Sequence, residues 1–292
     1  MKRALLVLSV VCAGIAAEAA STISSVTSSN SAWSGNLGWV NWKADGTNGA
    51  IIGEFVCSGA IYSPNVGWIS LGSGNPQNGI RYSNSGNDFG VNHDGEGSLR
   101  GYAYGANIGW IAFEQIGNPR VSLVTGNLSG HAWSANTGWI SLSNTIALVK
   151  TDSLPGGRDT DGDNIPDAWE LTFALNLNVL SANGDADRDG LTDSQEYLSD
   201  TNPLNSSSNL RISSHSITFS DVFENHNVQW NTRPTRGYRI TYRDAFSPRA
   251  AWTFGGHYYP PAPGPSMNKN VGLLGPAPQR YLRVEAVRPL SN

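Results

Sequence analysis

The sequence predicts a mainly β protein made of an N-terminal hairpin-repeat β domain, a short loop–helix pair and a C-terminal β-sandwich. Three observations carry this expectation. Ten Trp, ten Tyr and 33 Gly against two Met in 292 residues is the composition of short strands joined by turns. A Trp-containing motif recurs four times in the first half. The charge is also partitioned: six basic and seven acidic residues fall between 20 and 158, eleven carboxylates and one Arg between 159 and 200, and ten basic and four acidic residues beyond.

The first 20 residues, MKRALLVLSVVCAGIAAEAA, have a basic start, an apolar centre and small residues at Ala17 and Ala19. This is the pattern of an export signal, with cleavage expected after Ala19 or Ala20 and a secreted or cell-surface destination. Val11 before Cys12 is too large for a lipid-attachment site. Cleavage would leave Cys57 alone in the apolar stretch GEFVCSGAIY, where it reads as a small hydrophobe, so the exported chain forms no intrachain disulfide. Its stability must come from packing or bound metal.

Residues 21–150 hold AWSGNLGWVNW from Ala32, IYSPNVGWISL from Ile61, AYGANIGWIAF from Ala103 and AWSANTGWISL from Ala132. Each copy reads as a hairpin in which Asn and Gly supply the turn. After the turn, Val40 and Trp42, Ile69 and Leu71, Ile111 and Phe113, and Ile140 and Leu142 share one face, and Trp39, Trp68, Trp110 and Trp139 share the other. Since one hairpin cannot stabilise itself, stacked hairpins are expected to bury both faces, with these Trp as a repeated core. The alternative leaves Trp and Tyr exposed to stack on sugar rings or on another protein. The unit resembles a Trp-containing repeat of exported bacterial proteins, with a consensus near G-x-L-x-G-x-A-W-S-x-N-x-G-W-I-x-L; the resemblance implies export and modularity, and no chemistry.

Residues 151–158, with Pro155, Gly156 and Gly157, read as a linker. Two twelve-residue windows follow, DTDGDNIPDAWE (Asp159 to Glu170) and DADRDGLTDSQE (Asp185 to Glu196). Each has carboxylates at positions 1, 3, 5, 9 and 12: Asp159, Asp161, Asp163, Asp167 and Glu170, then Asp185, Asp187, Asp189, Asp193 and Glu196. Alternate carboxylates on a tight loop aim several oxygens at one centre, and a Glu at position 12 can bind through both oxygens. That is how a hard cation such as calcium is held. Position 6, Asn164 or Gly190, makes the sharp turn, and the carbonyls of Ile165 and Leu191 at position 7 complete each shell, so two calcium ions are expected. A helix should follow each loop, formed by Ala168, Trp169, Leu171, Thr172, Phe173 and Leu175, and by Ser194, Glu196, Tyr197 and Leu198.

Within a loop–helix segment read as 159–205, residues 159–203 resemble the bacterial form of the thrombospondin type 3 repeat and the paired loop–helix units of dockerins. The first resemblance implies a calcium-ordered spacer between extracellular domains, the second a helix face that docks on a partner protein. Both loops here end in Glu and are 26 residues apart, a departure from the dockerin pattern.

Residues 206–292 alternate polar and apolar in LRISSHSITF, HNVQW, GYRITYR and YLRVEAV, which argues a small β-sandwich, similar to a fibronectin-type domain. Tyr238, Ile240 and Tyr242 would face one way and Arg239, Thr241 and Arg243 the other. The Arg surplus suits acidic polysaccharide, membrane phosphates or nucleic acid, or else is a solvated face beside the acidic segment, which is the reading adopted.

No His-Glu-x-x-His, phosphate-cradling Gly loop or Gly-x-Ser-x-Gly occurs, and the His at 93, 131, 215, 226 and 257 have no metal spacing. Asp88, Asp94 and Glu96 are the only close carboxylates outside the loops, and His93 beside them reads as a solvated turn residue. The expectation is a secreted or cell-surface, non-enzymatic calcium-binding protein of structural or adhesion type. A partner would be an extracellular protein or polysaccharide, with neither nucleic acid nor a membrane span. A carbohydrate-binding module, a dockerin-like module and a glycoside-active enzyme are the alternatives.

Overall fold

The computed structural model describes residues 21–45, 48–244, 251–275, 277 and 279–291. The expected export signal lies outside them. The protein is mainly β, with two short helices.

Each Trp motif is a hairpin: Asn30–Ser34 with Gly38–Asn41, Cys57–Ser63 with Gly67–Ser73, Leu99–Gly105 with Gly109–Phe113, and His131–Ser134 with Gly138–Ser141. Consecutive hairpins pair antiparallel, and Trp33 opposite Ser141 joins the last to the first, so the eight strands close into an up-and-down barrel. Closure removes the sheet edges that an open array of hairpins would expose.

The motif explains both the turn and the closure. Gly38, Gly67, Gly109 and Gly138 sit at φ of +71°, +80°, +74° and +76°, a region in which a Cβ costs roughly 1–2 kcal/mol. The turn Asn reaches the neighbouring hairpin. Asn65 Nδ2 donates to Leu37 O (2.9 Å), Asn107 to Val66 O (3.0 Å), Asn136 to Ile108 O (2.8 Å) and Asn36 to Thr137 O (3.0 Å). Four amides thus form a ring of hydrogen bonds over one end of the barrel. Asn136→Ala should cost about 1 kcal/mol in urea unfolding, the usual net worth of one such bond.

Inside, each hairpin contributes one cross-strand pair: Ala32 with Val40, Ile61 with Ile69, Ala103 with Ile111, and Ala132 with Ile140, all buried. The next layer is Trp42, Leu71, Phe113 and Leu142, as the alternation predicts. The motif Trp are not core. Trp39, Trp68, Trp110 and Trp139 lie on the outer wall at 46%, 45%, 49% and 46% exposure. The interior of an eight-stranded barrel is filled by the residues of one face, here including Trp42 and Phe113, and the pleat sends every second residue outward. Outside, the Trp pair with cross-strand neighbours: Trp33–Trp39 and Tyr62–Trp68 meet edge to face with centroids 5.1 Å apart.

Residues 151–158, read as a linker, are packed on the barrel. Thr151 is buried and bridges Ile23, Leu154 enters the barrel core, and Glu54 N donates to Pro155 O (2.8 Å). The loop–helix pair follows, with helices α1 (Asp167–Phe173) and α2 (Asp193–Ser199). α1 stops before Leu175, which is fully exposed. Thr192 and Gln195 cap α2 reciprocally.

Beyond lie two three-stranded antiparallel sheets. One has strands Ile212–Phe219, Phe223–Asn231 and Ser266–Leu274; the other has Thr253–Tyr259, Gly237–Arg243 and Tyr281–Val287. Val228, Trp230, Tyr238, Ile240, Val271 and Leu273 form the core between them, which makes the expected sandwich. Tyr238 and Ile240 are buried and Arg239 is exposed, on opposite faces as the alternation predicts, but Thr241 is also buried.

Candidate metal centres and the junction around them

The two acidic loops fold alike: in both, the position-1 Asp accepts from the position-6 N–H and the position-5 Asp from the position-7 N–H. In the first, Asp159 accepts from Gly162 N (2.8 Å) and Asn164 N (2.9 Å) and Asp163 Oδ1 accepts from Ile165 N (2.8 Å). In the second, Asp185 accepts from Asp189 N (3.1 Å) and Gly190 N (3.0 Å) and Asp189 Oδ1 from Leu191 N (2.8 Å). Asn164 at φ +74° and Gly190 at +97° make the position-6 turns.

Asp159, Asp161 and Asp163 bring one carboxylate oxygen each within 4.8 Å of one another, and Asp185, Asp187 and Asp189 do the same. Such a triplet could hold a metal ion. Glu170 and Glu196 are both fully buried and feel the charge of the neighbouring aspartates. Neither oxygen of Glu170 has a hydrogen-bond partner, and Glu196 Oε2 and Asp187 Oδ2 are equally orphaned. Burial first, then the charges of Asp161, Asp163, Asp167 and Asp159, pushes the Glu170 carboxyl up to about 8. Burial likewise raises Glu196 to about 7 against the hydrogen bond from Thr201, helped by Asp187, Asp189 and Asp193. Ile165 is buried and Leu191 partly so, each closing its loop at position 7.

Asp167 and Asp193, expected among the ligands, have both oxygens engaged elsewhere. Asp167 accepts from Thr160 N (2.7 Å) and Thr160 Oγ1 (2.5 Å), with Arg158 at 3.5 Å. Asp193 accepts from Ala186 N (3.1 Å) and Ser181 N (2.9 Å). As the first residue of its helix, each ties loop to helix instead of joining the triplet.

The loop–helix unit is a three-way junction. Its core of Ile165, Trp169, Ala174, Leu180 and Tyr197 receives Phe55 from the barrel. Beside Phe55, buried Glu54 accepts from Tyr197 Oη (2.8 Å), pairs with Arg236 (2.9 Å) before the sandwich's inner strand, and pairs with Arg288 (3.0 Å) after its last strand. Arg236 also donates to the carbonyls of Tyr197 (2.9 Å) and Leu198 (3.0 Å) at the end of α2, and Arg288 to Leu154 O (2.9 Å). Both guanidiniums lie over the Tyr197 ring, at 5.7 and 5.2 Å. Asn209 Nδ2, on the way to the sandwich, donates to the loop residue Asp189 (3.0 Å).

Nothing in local sequence marked this hub, because its members lie far apart in the chain. The available signal was Glu54 itself, a lone acid in an apolar stretch. The basic surplus is divided: Arg211, Arg233, Arg239, Lys269 and Arg283 are exposed, whereas Arg236, Arg280 and Arg288 pair with Glu54, Glu224 and Asp244.

His93, expected to be solvated, is buried. Its Nδ1 lies 2.9 Å from Gly53 O and its Nε2 accepts from Gly97 N (3.0 Å), so the ring is neutral and steadies the loop that carries Glu54. Asp88 binds Ser83 N (2.8 Å) and Gln77 N (3.1 Å), and these bonds hold its carboxyl below the usual range. Asp94 accepts from Glu96 N and Ser98 N, both at 2.8 Å. Burial pushes the Cys57 thiol up to about 12, which keeps it an inert packing residue.

Among the described residues no helix is long and apolar enough to cross a membrane. No family model matches the chain, and no curated protein and no solved structure matches it either.

Proposed function

We propose that this is an exported, non-enzymatic modular protein in which two calcium ions, one per acidic loop, order the junction that fixes a β-barrel against a β-sandwich. The observation that carries the reading is the pair of buried glutamates, Glu170 with both oxygens orphaned and Glu196 with one, each feeling the charges of triplet aspartates in its own loop. Buried carboxylates without partners are costly unless a cation is shared among them.

The donor set fits calcium. It consists of oxygens alone, with carboxylates from Asp159, Asp161, Asp163 and Glu170 and the Ile165 carbonyl in one loop, and from Asp185, Asp187, Asp189 and Glu196 and the Leu191 carbonyl in the other. Calcium bound there supplies the positive charge that the loops lack. Asp167 and Asp193 hold each loop on its helix, and Tyr197, in α2 just after Glu196, carries the order to Glu54. This arrangement supports a spacer like that of thrombospondin type 3 repeats, with affinity of roughly 0.1–1 mM as in other extracellular modules.

Melting the protein in 5 mM calcium and in excess chelator is the test. The midpoint is expected to fall in chelator, and calorimetric titration of the stripped protein should give heat for two sites. Superimposable melts with no heat of binding would overturn the reading.

A further inference from the structure

We infer that the outward tryptophans of the barrel form a ring of binding sites for neutral saccharides, the most developed of them at Trp110. The observation is a repeated one. Around Trp110 the segment between the second and third hairpins lies down on the barrel wall and encloses a cleft of about 420 Å3, lined by Asn84, Gly86, Phe89, Tyr102 and Trp110. Gly101, at φ +110°, makes this approach possible: a Cβ there would come within 2.4 Å of Gly90 O and 2.6 Å of Asn84 Nδ2. Phe89, Tyr104 and Tyr102 support the Trp110 ring at centroid distances of 5.1, 4.8 and 6.2 Å, so the indole is held in place before any ligand arrives. Gly90 N donates to Asn84 Oδ1 (3.1 Å), which fixes the amide at the rim.

Two other copies repeat the theme. Trp39 walls a cleft of about 430 Å3 with Ser28, Asn30 and Asn41, and Trp133 and Trp139 line one of about 200 Å3 with Glu114. The two larger clefts fall within the roughly 300–1,000 Å3 of small-molecule sites.

The chemistry selects the occupant. A sugar ring offers an apolar C–H face to an aromatic plane and hydroxyls to amide and hydroxyl neighbours, and aromatic and amide groups are what these clefts provide. Among the described residues no charged side chain lines the clefts at Trp39 and Trp110, which favours a neutral sugar over an acidic one. A lipid surface suits the site poorly. The exposed turn residues Gly35, Asn36, Asn65, Asn107 and Asn136 stand at the barrel end beside the aromatics and would enter the membrane first. Equivalent sites around a cylinder also cannot all meet one flat partner, whereas a polysaccharide can thread past several and gain avidity.

The test is affinity electrophoresis of the protein in calcium, through gels containing xyloglucan, galactomannan, laminarin or starch, with dextran sulfate as the charged comparison. Calcium keeps the loop–helix unit in one state, so failure here is separable from failure of the calcium reading. Retardation is expected in at least one neutral polysaccharide, with Trp110→Ala weakening it about tenfold or more and Trp110→Phe retaining part of it. Asn84→Ala, which leaves the barrel pairs untouched, should also weaken retention, and it decides the matter if Trp110→Ala fails to fold. Migration unchanged in every neutral gel, retardation by dextran sulfate alone, or retention indifferent to Trp110 and Asn84 would each overturn the inference.

Discussion

Glu54→Gln is expected to destabilise the protein by about 3–5 kcal/mol in urea unfolding with calcium present, the usual cost of stranding a buried charge. Arg236 is almost wholly buried, and Glu54 is the only carboxylate paired with it among the described residues. Removing the negative charge while keeping the shape leaves a cation in a poorly solvating pocket, and Arg288 loses the same partner. The loss falls on the contact that joins barrel, loop–helix unit and sandwich, so unfolding should also separate into more than one step. A triple variant, Glu54→Leu with Arg236→Met and Arg288→Met, removes all three charges and should recover much of the loss, because buried ion pairs owe most of their apparent worth to the penalty of breaking them. A single variant within 1 kcal/mol of the parent would show that the hub is not what couples the three parts.

Glu170→Gln should change sign with calcium. In chelator the carboxylate is buried, unpartnered and surrounded by like charges, with its pKa pushed up to about 8. At pH 7 a pKa of about 8 makes folding take up a proton at Glu170, a cost that a neutral amide avoids, and the metal-free variant should be more stable than the metal-free parent by about 2 kcal/mol, a share of the interaction such a shift represents. In saturating calcium the order reverses, because Gln offers one weak carbonyl oxygen in place of two carboxylate oxygens. Melts of parent and variant under both conditions therefore cross. Parallel behaviour, with the variant weaker or stronger in both, would mean that Glu170 serves the fold and not a cation.

Much of this architecture was legible in the chain. The four hairpins, their inward residues and their turn glycines follow from the period-2 alternation around Asn-x-Gly-Trp. The position-6 turns of the acidic loops follow from spacing alone. What escaped was contact between distant segments. Barrel closure rests on brief pairings such as Trp33 with Ser141 and Asn41 with Tyr62, which carry no local mark. The turn Asn were read as turn formers, although their amides do their other work on the adjacent hairpin. Expecting the motif Trp to be buried treated the Gly-Trp face as the core face, when the barrel interior is already filled from the opposite face by Ala, Val, Ile and Leu together with Trp42 and Phe113. Glu54 and His93 escaped for the same reason: each is defined by partners that sequence proximity does not supply.

The amide ring over the barrel end implies something about ancestry and engineering. Each hairpin touches its two neighbours through the same bond, so the circle has no privileged beginning, and the chain enters and leaves it side by side where Ile23 bridges Thr151. A gene rotated by one motif would rebuild the same set of contacts, so a circularly permuted barrel is geometrically equivalent to this one.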